Sequence, residues 1–477
     1  MDYVAFGAGA AWVGNYIDGT VKRIDAATNE VTSVPVGAVQ SLAAGAGGAW
    51  VSTVGRPRAG AMPATACREL ASGGRRPDVL IASDLPLQGP KGAGPRAIAD
   101  AIRLVLERRD FTAGRFSVGY RSCDDSTAQT GGFEGRRCAA NATAYARAKR
   151  LVAVIGTYNS YCAGIENPIL NQAPGGPLAM ISPANTHAGL TRPYPKLESS
   201  EGFRGEPEVY YPTGIRNYMR VIPADDFGGA AYAVLAKRLG VGPVYLLAER
   251  STWWKSDLTD PFRRAAGKLG VPIAGAVEFD PHTKRFDALA DAVARSGARA
   301  VVLGGDPYNG GDRLVKALRA RLGARFPIMA CYFFAPGNSL MVLGRAAHGM
   351  YVATSDLPRA AYKLNAAGRR FAREVGASAT TYPGPGVLEA GQATELLMDA
   401  IARSDGTRAS VLDELRATEV KDGILGSFRF DPNGDITTAS IPILRITGAT
   451  PPGTDLPKLF QGAVLDRVVD VPSNLLR

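Results

Sequence analysis

Residues Val152 to Thr191 read VAVIGTYNSYCAGIENPILNQAPGGPLAMISPANTHAGLT, and this stretch decides the fold. It contains two short apolar runs, Val152–Ile155 and Leu178–Ser182, and each run ends in a polar loop marked by Gly or Pro. Runs of this kind are typical of strands buried on both faces of a parallel sheet. The residues between them, about 163–172, are long enough for a short crossover helix. The stretch is therefore predicted to be a strand–helix–strand unit.

Three residues of this unit come directly after its strands. Ser160 follows the first strand, and Ala184 and Thr186 follow the second. In open parallel sheets, ligands bind beyond the carboxyl ends of the strands. We therefore expect these residues at one mouth of the sheet. The alternative is that Ser160 and Thr186 only cap helices.

Composition excludes several classes of protein. The chain has 477 residues, of which 46% are hydrophobic and 21% charged, and the sequence holds no apolar run of the ~20 residues that a membrane helix needs. The formal net charge is +11. The basic residues are spread along predicted helices such as 231–240 and 312–321, without a basic arm or an aromatic-interleaved patch. We interpret the charge as a solvated, Arg-rich surface and expect no nucleic-acid partner.

The first 55 residues differ from the rest. VAFGAGAAWVGN (Val4–Asn15) returns as SLAAGAGGAWVST (Ser41–Thr53), so that Trp12 and Trp50 lie 38 residues apart. A repeat near ~40 residues, made of short strands and tight turns, is typical of a β-propeller blade, and its wording resembles YVTN-type propeller repeats. A partial blade cannot close a ring. We therefore expect the chain to be the C-terminal part of a longer protein. We expect no signal peptide at Met1, because the first residues lack a basic start followed by an apolar core.

From Asp78 onward, strands and helices alternate, which predicts an α/β fold with doubly wound sheets. A second series begins after MRVIPADD (Met219–Asp226), and the helices after about residue 361 exceed what this second lobe needs. The chain is therefore expected to return to the first lobe before a hairpin turn at Asp431–Gly434. The predicted organisation is a propeller fragment at 1–55, a linker at 56–76, lobe 1 at 77–223, lobe 2 at 224–349, a return to lobe 1 at 350–439, and a lobe 2 strand with the C-terminal tail at 440–477.

Five cysteines, at 67, 123, 138, 162 and 331, contain no CxxC pair, so a zinc or redox motif is unsupported. Cys138 opens a predicted helix that leads into the strand before Cys162, and the start of that helix shares a sheet edge with the end of that strand. We favour a Cys138–Cys162 disulfide, with Cys67–Cys123 as a second candidate. Such bridges indicate an oxidising, extracytoplasmic setting.

Several motifs, in order, resemble a known family. They are SDLPLQGP…AIADAIRLVL, VIGTYNS…ISPANTHAGLT, MRVIPADD, VVLGGDPY and GSFRFDPNGD. Over about 78–448 the chain is similar to the class I periplasmic binding proteins of the leucine/isoleucine/valine-binding type. This resemblance implies two Rossmann-like lobes joined by three hinge strands, near Pro223, Gly349–Ala353 and Ser440, and closing on a small solute. The family also carries a first-lobe disulfide where Cys138 and Cys162 stand.

The resemblance also implies ligand contacts. Ser160, Ala184 and Thr186 stand where the family holds an amino acid's carboxylate, and hydroxyl and amide donors at a helix N-terminus suit an anion. The family has an aromatic residue just after a second-lobe GG and an acid in the loop after the next strand. Here GG is followed by Asp306, and Tyr332 stands in place of the acid. We expect Asp306 to supply the missing carboxylate, and this departure puts branched-chain amino acids in doubt.

Further candidate contacts surround this expected site. Tyr308 lies two residues beyond Asp306, Tyr158 precedes Ser160, and Asp226 borders the first hinge crossing. The candidates also include Trp253 and its neighbour Trp254, for which ordinary packing is an equal alternative, and Phe227. No catalytic residue or cofactor is expected. No metal ligand is expected either, because DPNGD lacks the remaining ligands of a calcium loop.

The sequence favours extracytoplasmic binding of an amino acid or related small polar metabolite by hinge closure. The chain would act as the receptor or sensor part of a larger protein with fused upstream domains, or deliver solute to an ABC permease. A module that has lost its ligand is the alternative. An enzyme is disfavoured, because Ser160 or Cys162 with His187 is the only nucleophile–base candidate near the mouth and no nucleophile elbow is present.

Overall fold

The structure is a computed structural model. It describes residues 2–15, 20–36, 39–45, 47–53, 66–68, 70–89, 92–127, 132–194, 205–250, 254–354, 364–376, 386–449 and 461–476. Within these ranges, none of the helices is both long and apolar enough to span a membrane.

The N-terminal repeat forms antiparallel sheet. Strands β1 (Asp2–Gly7), β2 (Ala10–Asn15), β3 (Thr20–Asp25) and β4 (Val31–Pro35) pair in sequential order, and β5 (Val39–Gly45) pairs with β6 (Gly48–Thr53) as a hairpin. The two AWV motifs occupy corresponding places, the second strand of each hairpin. The internal repeat is therefore structural as well as sequential, while its origin in a propeller stays a prediction.

The first α/β unit is a six-stranded sheet with flanking helices. Its elements are β7 (Val79–Leu85), α1 (Ala93–Arg108), β8 (Thr112–Ala113), β9 (Phe116–Asp124), α2 (Gly135–Arg147), β10 (Leu151–Gly156), α3 (Ser160–Asn171), β11 (Ala179–Ser182) and β12 (Tyr218–Arg220). The strand order is β12-β11-β10-β7-β9-β8, parallel except for the β8–β9 pair. The strand–helix–strand unit of the opening stretch is β10-α3-β11. Its two strands are parallel neighbours with Val154 opposite Met180, as predicted.

Apolar periodicity explains how this sheet is covered. Ile98, Ala101, Ile102 and Val105 on α1 are all buried, as their helical spacing predicts. All six residues of β10 are buried as well, which fits a strand covered on both faces.

The second α/β unit is a seven-stranded sheet. Its elements are α4 (Asp226–Leu239), β13 (Val244–Glu249), α5 (Asp260–Leu269), β14 (Ile273–Phe279), α6 (Asp287–Arg295), β15 (Ala300–Gly304), α7 (Asp312–Leu322), β16 (Ile328–Ala330), α8 (Pro336–Leu343), β17 (Tyr351–Ala353), and, later in the chain, β20 (Thr438–Ile446) and β21 (Ala463–Pro472). The strand order is β14-β13-β15-β16-β17-β20-β21, and only the last two strands run antiparallel to their neighbours.

Between these strands the chain returns to the first sheet. The returning elements are α9 (Ala366–Glu374), α10 (Val387–Arg403), α11 (Arg408–Arg416), β18 (Glu419–Gly423) and β19 (Gly426–Arg429). Helix α10 packs along α1, and α11 lies against β10. Strand β17 belongs to the second sheet, so the boundary of the return at residue 350 is wrong. The return begins only after Ala353, because β17 pairs with β16 and β20.

Two other expectations need correction. The turn at Asp431–Gly434 forms, with the Gly434 N–H donating to the Asp431 carbonyl at 3.0 Å, and Phe430 pairs with Ile436 across it in an antiparallel bridge. The hairpin is shorter than predicted, because β19 and β20 on either side are not paired with each other. Strand β19 pairs with β18 instead, because β20 is already paired on both edges. Part of the predicted linker is also docked: Ala71 exchanges main-chain hydrogen bonds with Tyr120 on β9.

Both predicted disulfides form. Cys138 at the start of α2 is bonded to Cys162 at the start of α3, with their Cα atoms 5.6 Å apart. Cys67 is bonded to Cys123 on β9, which fastens the segment before β7 to the first sheet. Cys331 is a buried free thiol.

A buried ion-pair network lies where the units meet. Arg220, at the end of β12, donates from Nε to Oδ1 of Asp435 at 2.6 Å, and both side chains are almost fully buried. Asp435 follows the turn of the returning segment, and its Oδ2 accepts from Thr191 at 2.8 Å. Arg192 lies 3.5 Å from Asp435 and donates to Asp226, at the start of α4, at 2.7 Å. The network therefore joins the first sheet, the returning segment and the second unit.

We expect removal of the Cys138–Cys162 bridge to lower stability. The disulfide closes a loop of 24 residues, and the chain-entropy relation gives about 3 kcal/mol for a loop of that size. Chemical denaturation of Cys138→Ala/Cys162→Ala should show a loss of about that size. A free energy of unfolding equal to that of the wild type would contradict a structural role for this bridge.

We expect Asp435→Asn to cost about 3–5 kcal/mol, because it leaves the fully buried Arg220 guanidinium without its anion. The matched control is Asp287→Asn, which breaks an exposed pair with Arg285 at 2.8 Å and should cost about 0–1 kcal/mol. A loss no larger than in this control would contradict the importance of the network.

The same network predicts a pH dependence. Burial alone would raise the pKa of Asp435, but the charges of Arg220 and Arg192 outweigh it and hold the pKa below its ordinary value. The stabilisation is therefore complete above the unfolded pKa of about 4 and is lost as pH falls through the lower folded pKa. In denaturation series from pH 6 downward, the gap between the wild type and Asp435→Asn should shrink only below about pH 4. A gap that does not change with acidification would contradict this assignment.

Candidate functional site

The first-lobe mouth is formed by the loops after β10 and β11. Asn159 is the residue that caps α3, since its Oδ1 accepts the Cys162 N–H at 2.9 Å. Ser160 is the first residue of the helix, and its Oγ accepts the main-chain N–H of His187 at 3.2 Å. The hydroxyl of Ser160 thus bridges the two loops, and the capping alternative does not apply to it.

The loop after β11 is held from within. The Ala184 N–H donates to Ser182 Oγ at 3.1 Å, so this amide is engaged inside its own loop. The Thr186 carbonyl accepts the N–H of Asp225 at 2.9 Å, which ties the first-lobe mouth to the segment entering the second lobe. Thr186 is half-buried, as is Tyr158, which packs against the main core.

His187 is not positioned as a base for Ser160. Its ring Nε2 lies 2.9 Å from Oε2 of the buried Glu206, and Glu206 also accepts from the Tyr210 hydroxyl. The ring meets Tyr194 edge-on, with centroids 4.7 Å apart. The Ser160 hydroxyl is hydrogen-bonded to the main chain of His187 and not to its ring. Cys162 is bonded to Cys138 and is not a free thiol. The described residues therefore provide no nucleophile–base pair here.

Asp306 serves its own loop. Its Oδ1 accepts the Tyr308 N–H at 2.8 Å, and its main-chain N–H donates to Glu249 at 2.9 Å. Glu249 also accepts from Asn309 at 2.8 Å, and its burial raises its pKa. Tyr308 is 59% exposed, with its hydroxyl 4.0 Å from the sulfur of Met341. Asp306 is thus a capping residue in this structure.

An aromatic cluster follows two strands of the second sheet. Trp254, beyond the end of β13, meets Tyr332 and Phe333 edge-on with centroids 5.4 and 4.9 Å away. Trp254 is nearly fully buried, whereas Tyr332 remains partly exposed. The cluster supplies an apolar wall next to the hinge. Trp253 lies outside the described residues.

Asp226 belongs to the ion-pair network. Its Oδ1 accepts from Arg192, and the Arg192 guanidinium also lies 5.5 Å above the ring of the buried Phe227. Burial raises the pKa of Asp226, and Arg192 opposes that shift. This group lines a cleft of about 530 Å³ that also includes Tyr194 and Ser256. Asp226 thus has a cationic partner within the protein.

A second, smaller cavity of about 30 Å³ lies among the hinge segments. It is lined by Trp254 and Tyr332 together with residues of all three crossings, among them Asp225, Ala353 and Ile441. The structure therefore brings together Trp254 and Tyr332 of the candidate residues, and it links Thr186 to them through Asp225. It does not place Asp306, Tyr308 or Asp226 in this cavity.

The cavity also contains an acid that sequence reasoning missed. Asp257 lies on the π-helical turn Lys255–Thr259, is 5% exposed and lines the same cavity. Its position just after the end of β13 was the only available signal. An acid in a polar helical stretch such as KSDLTD ordinarily faces solvent.

One cluster of metal-ligating residue types is present among the described residues, Asp125 with Cys138 and Cys162. Both cysteines are bonded to each other and offer no thiolate, so these residues do not fit a metal ion.

Solved structures with the same fold cover most of the chain. A leucine binding protein from Thermotoga maritima is 22% identical with a TM-score of 0.54, and the match covers 82% of this chain and 98% of that one. A substrate-binding protein from Desulfitobacterium hafniense, solved in complex with Leu, is 20% identical with a TM-score of 0.56, covering 80% and 99%. A solute binding protein from Rhodopseudomonas palustris, in complex with 4-hydroxybenzoate, is 13% identical with a TM-score of 0.55, covering 83% and 97%.

At these identities the likeness concerns the fold, which is that of a type I periplasmic binding protein. Comparison with curated proteins gives no match. The sequence profile of the periplasmic binding proteins matches residues 211–450, which is half of the chain. The match begins before β12 and extends through the second unit and the return as far as β20. The chain belongs to the periplasmic binding protein family.

Proposed function

We propose that the chain binds an amino acid or a related small polar metabolite outside the cytoplasm, in the cleft between its two lobes, by hinge closure. The observation that carries the proposal is the cavity at the hinge. Its aromatic wall belongs to the second lobe, and its Asp225 is hydrogen-bonded to the first-lobe mouth at Thr186. The cavity itself is lined by hinge and second-lobe residues. A solute that extends from it to the Thr186 loop would contact both lobes, and its binding would favour the closed arrangement.

Ser160 is proposed to hold a carboxylate of the solute. Its Oγ already accepts from His187, so its remaining donor is the hydroxyl proton. Thr186, on the neighbouring loop, adds a second hydroxyl, while Ala184 contributes shape rather than its amide, which Ser182 already binds. Leu and 4-hydroxybenzoate, the ligands in two of the similar structures, both have a carboxyl group.

Delivery to an ABC permease is proposed as the physiological setting, since similar structures are substrate-binding proteins of ABC transporters. The two disulfides fit an oxidising compartment. A receptor or sensor within a larger assembly is the second candidate, and the N-terminal sheet favours it.

For the N-terminal segment we propose a propeller-type repeat. Its four strands pair in sequential order, as in a propeller blade. Val4 and Phe6 on one face of β1 are 57% and 78% exposed, and Trp50 on the hairpin is 64% exposed. Apolar side chains on a sheet face of this kind pack against an adjacent blade in a complete propeller.

Ser160→Ala tests the carboxylate site. Loss of a hydrogen bond to a charged group costs about 1.5–3 kcal/mol, so affinity for the L-amino acid that binds best should fall roughly 10- to 100-fold. Isothermal titration gives the two dissociation constants, after a thermal-shift screen of the twenty L-amino acids and 4-hydroxybenzoate.

The control is Ser296→Ala. Ser296 ends α6 and donates to the Val293 carbonyl at 2.7 Å, at the edge of the second sheet opposite to the cleft. The affinity of Ser296→Ala for the amino acid should match that of the wild type. Unchanged binding by Ser160→Ala would remove Ser160 from the site, and the absence of any thermal shift in the wild type would favour a module without a ligand.

A further inference from the structure

Asp257 is a buried carboxylate with an unused hydrogen-bonding atom. The residue is 95% buried, and its Oδ1 has no hydrogen-bond partner among the described residues. A buried carboxylate oxygen without a partner is costly, so the group is either protonated or awaits a cation, even though the Tyr194 hydroxyl also interacts with it. Asp257 is one of the residues that line the hinge cavity.

The charges around Asp257 are of its own sign. Burial raises its pKa well above the ordinary value, and the charges of Asp225, Asp226 and Glu206 raise it further, while the Tyr194 hydroxyl opposes the shift. Arg192, the nearby guanidinium of the network, is committed to Asp226 and Asp435. The surroundings of Asp257 are therefore acidic, and the nearby cation, Arg192, is already paired with other carboxylates.

The walls of the cavity also suit a cation. Trp254 and Tyr332 line it together with Asp257, and aromatic faces attract a positively charged group within about 6 Å. A volume of about 30 Å³ accommodates a group the size of an ammonium or a water molecule or two. The remainder of a solute would occupy the cleft beyond it.

We propose that Asp257 is the carboxylate that binds the positively charged nitrogen of the solute, so that the site takes a zwitterion rather than a simple carboxylic acid. This inference rests on the proposed function and specifies its ligand class. Asp306, which the sequence suggests for this role, caps its own loop instead. Tyr332 lines the same cavity as Asp257, so the acid and an aromatic side chain face one space.

The chain of contacts supports a ligand with both charges. Asp225 lines the cavity beside Asp257 and donates its N–H to Thr186. Ser160 contacts His187, whose ring packs on Tyr194, and the Tyr194 hydroxyl interacts with Asp257. These contacts connect the hydroxyl end of the proposed site to its acidic end.

The test compares Asp257→Asn with the wild type on pairs of probes that differ only in the amino group. Suitable pairs are L-leucine with 4-methylpentanoate and L-phenylalanine with 3-phenylpropanoate, with 4-hydroxybenzoate as an additional acid. Isothermal titration should show that the wild type binds one amino acid at least 10-fold more tightly than its deaminated partner. Asp257→Asn should lose at least 10-fold in affinity for that amino acid and change by less than about 3-fold for the acid.

Two controls separate recognition from folding. Asp287→Asn removes an exposed second-lobe acid and should leave both dissociation constants unchanged. The melting temperature of unliganded Asp257→Asn should equal or exceed that of the wild type, because the variant no longer buries an uncompensated carboxyl group. A lower melting temperature with equal losses for both probes of a pair would assign Asp257 to structure and overturn the proposal.

The outcomes also distinguish this inference from the proposed function. Tight amino-acid binding that survives in Asp257→Asn overturns the inference and leaves the function standing. If the wild type and Asp257→Asn bind only the carboxylic acids, and with equal affinity, the inference is likewise overturned and the function stands. If the wild type binds neither member of any pair nor 4-hydroxybenzoate, both are overturned.

Discussion

The pairing of Arg220 with Asp435 is the interaction on which the rest of the arrangement depends. It joins the end of an edge strand in the first sheet to a turn more than two hundred residues later in the chain, and Arg192 extends it to the first turn of α4. Buried ion pairs add little net stability compared with apolar packing, but loss of one partner is expensive. Their effect here is to fix geometry, because the same residues determine where the chain leaves the first lobe and enters the second.

This geometry distributes the tasks of the site between the lobes. Hydroxyl groups follow two strands of the first sheet, the aromatic wall follows two strands of the second, and Asp257 follows one of these. In the proposed account, a solute that contacts both lobes has a higher affinity for the closed state and shifts the hinge equilibrium. The uncompensated acid adds to this difference. In the proposed account, a cation that reaches Asp257 pairs with a buried carboxyl group whose Oδ1 has no hydrogen-bond partner among the described residues.

The sequence predicted the local elements well because they depend on local patterns. The buried strands around Val154 and Met180, the apolar face of α1 and the bridge between Cys138 and Cys162 all follow from periodicity and from the shared edge of a parallel sheet. The boundary at residue 350 and the short extent of the hairpin around Asp431–Gly434 depend on which strands pair, and strand partners are decided by tertiary packing. Asp306 and Asp257 illustrate the same limit at the site. Both follow second-lobe strands. Only the structure shows that Asp306 caps its own loop, whereas Asp257 is buried and its Oδ1 has no hydrogen-bond partner among the described residues.

The most direct measurement is a crystal structure of the chain with the L-amino acid that binds it best. The account predicts a closed cleft, with the ligand carboxylate within hydrogen-bond distance of Ser160 Oγ and the ammonium within that distance of the Asp257 carboxylate. A ligand outside the cleft between the lobes would contradict the proposed function. A ligand in the cleft with its ammonium turned toward Asp306, or toward solvent, would contradict the role of Asp257.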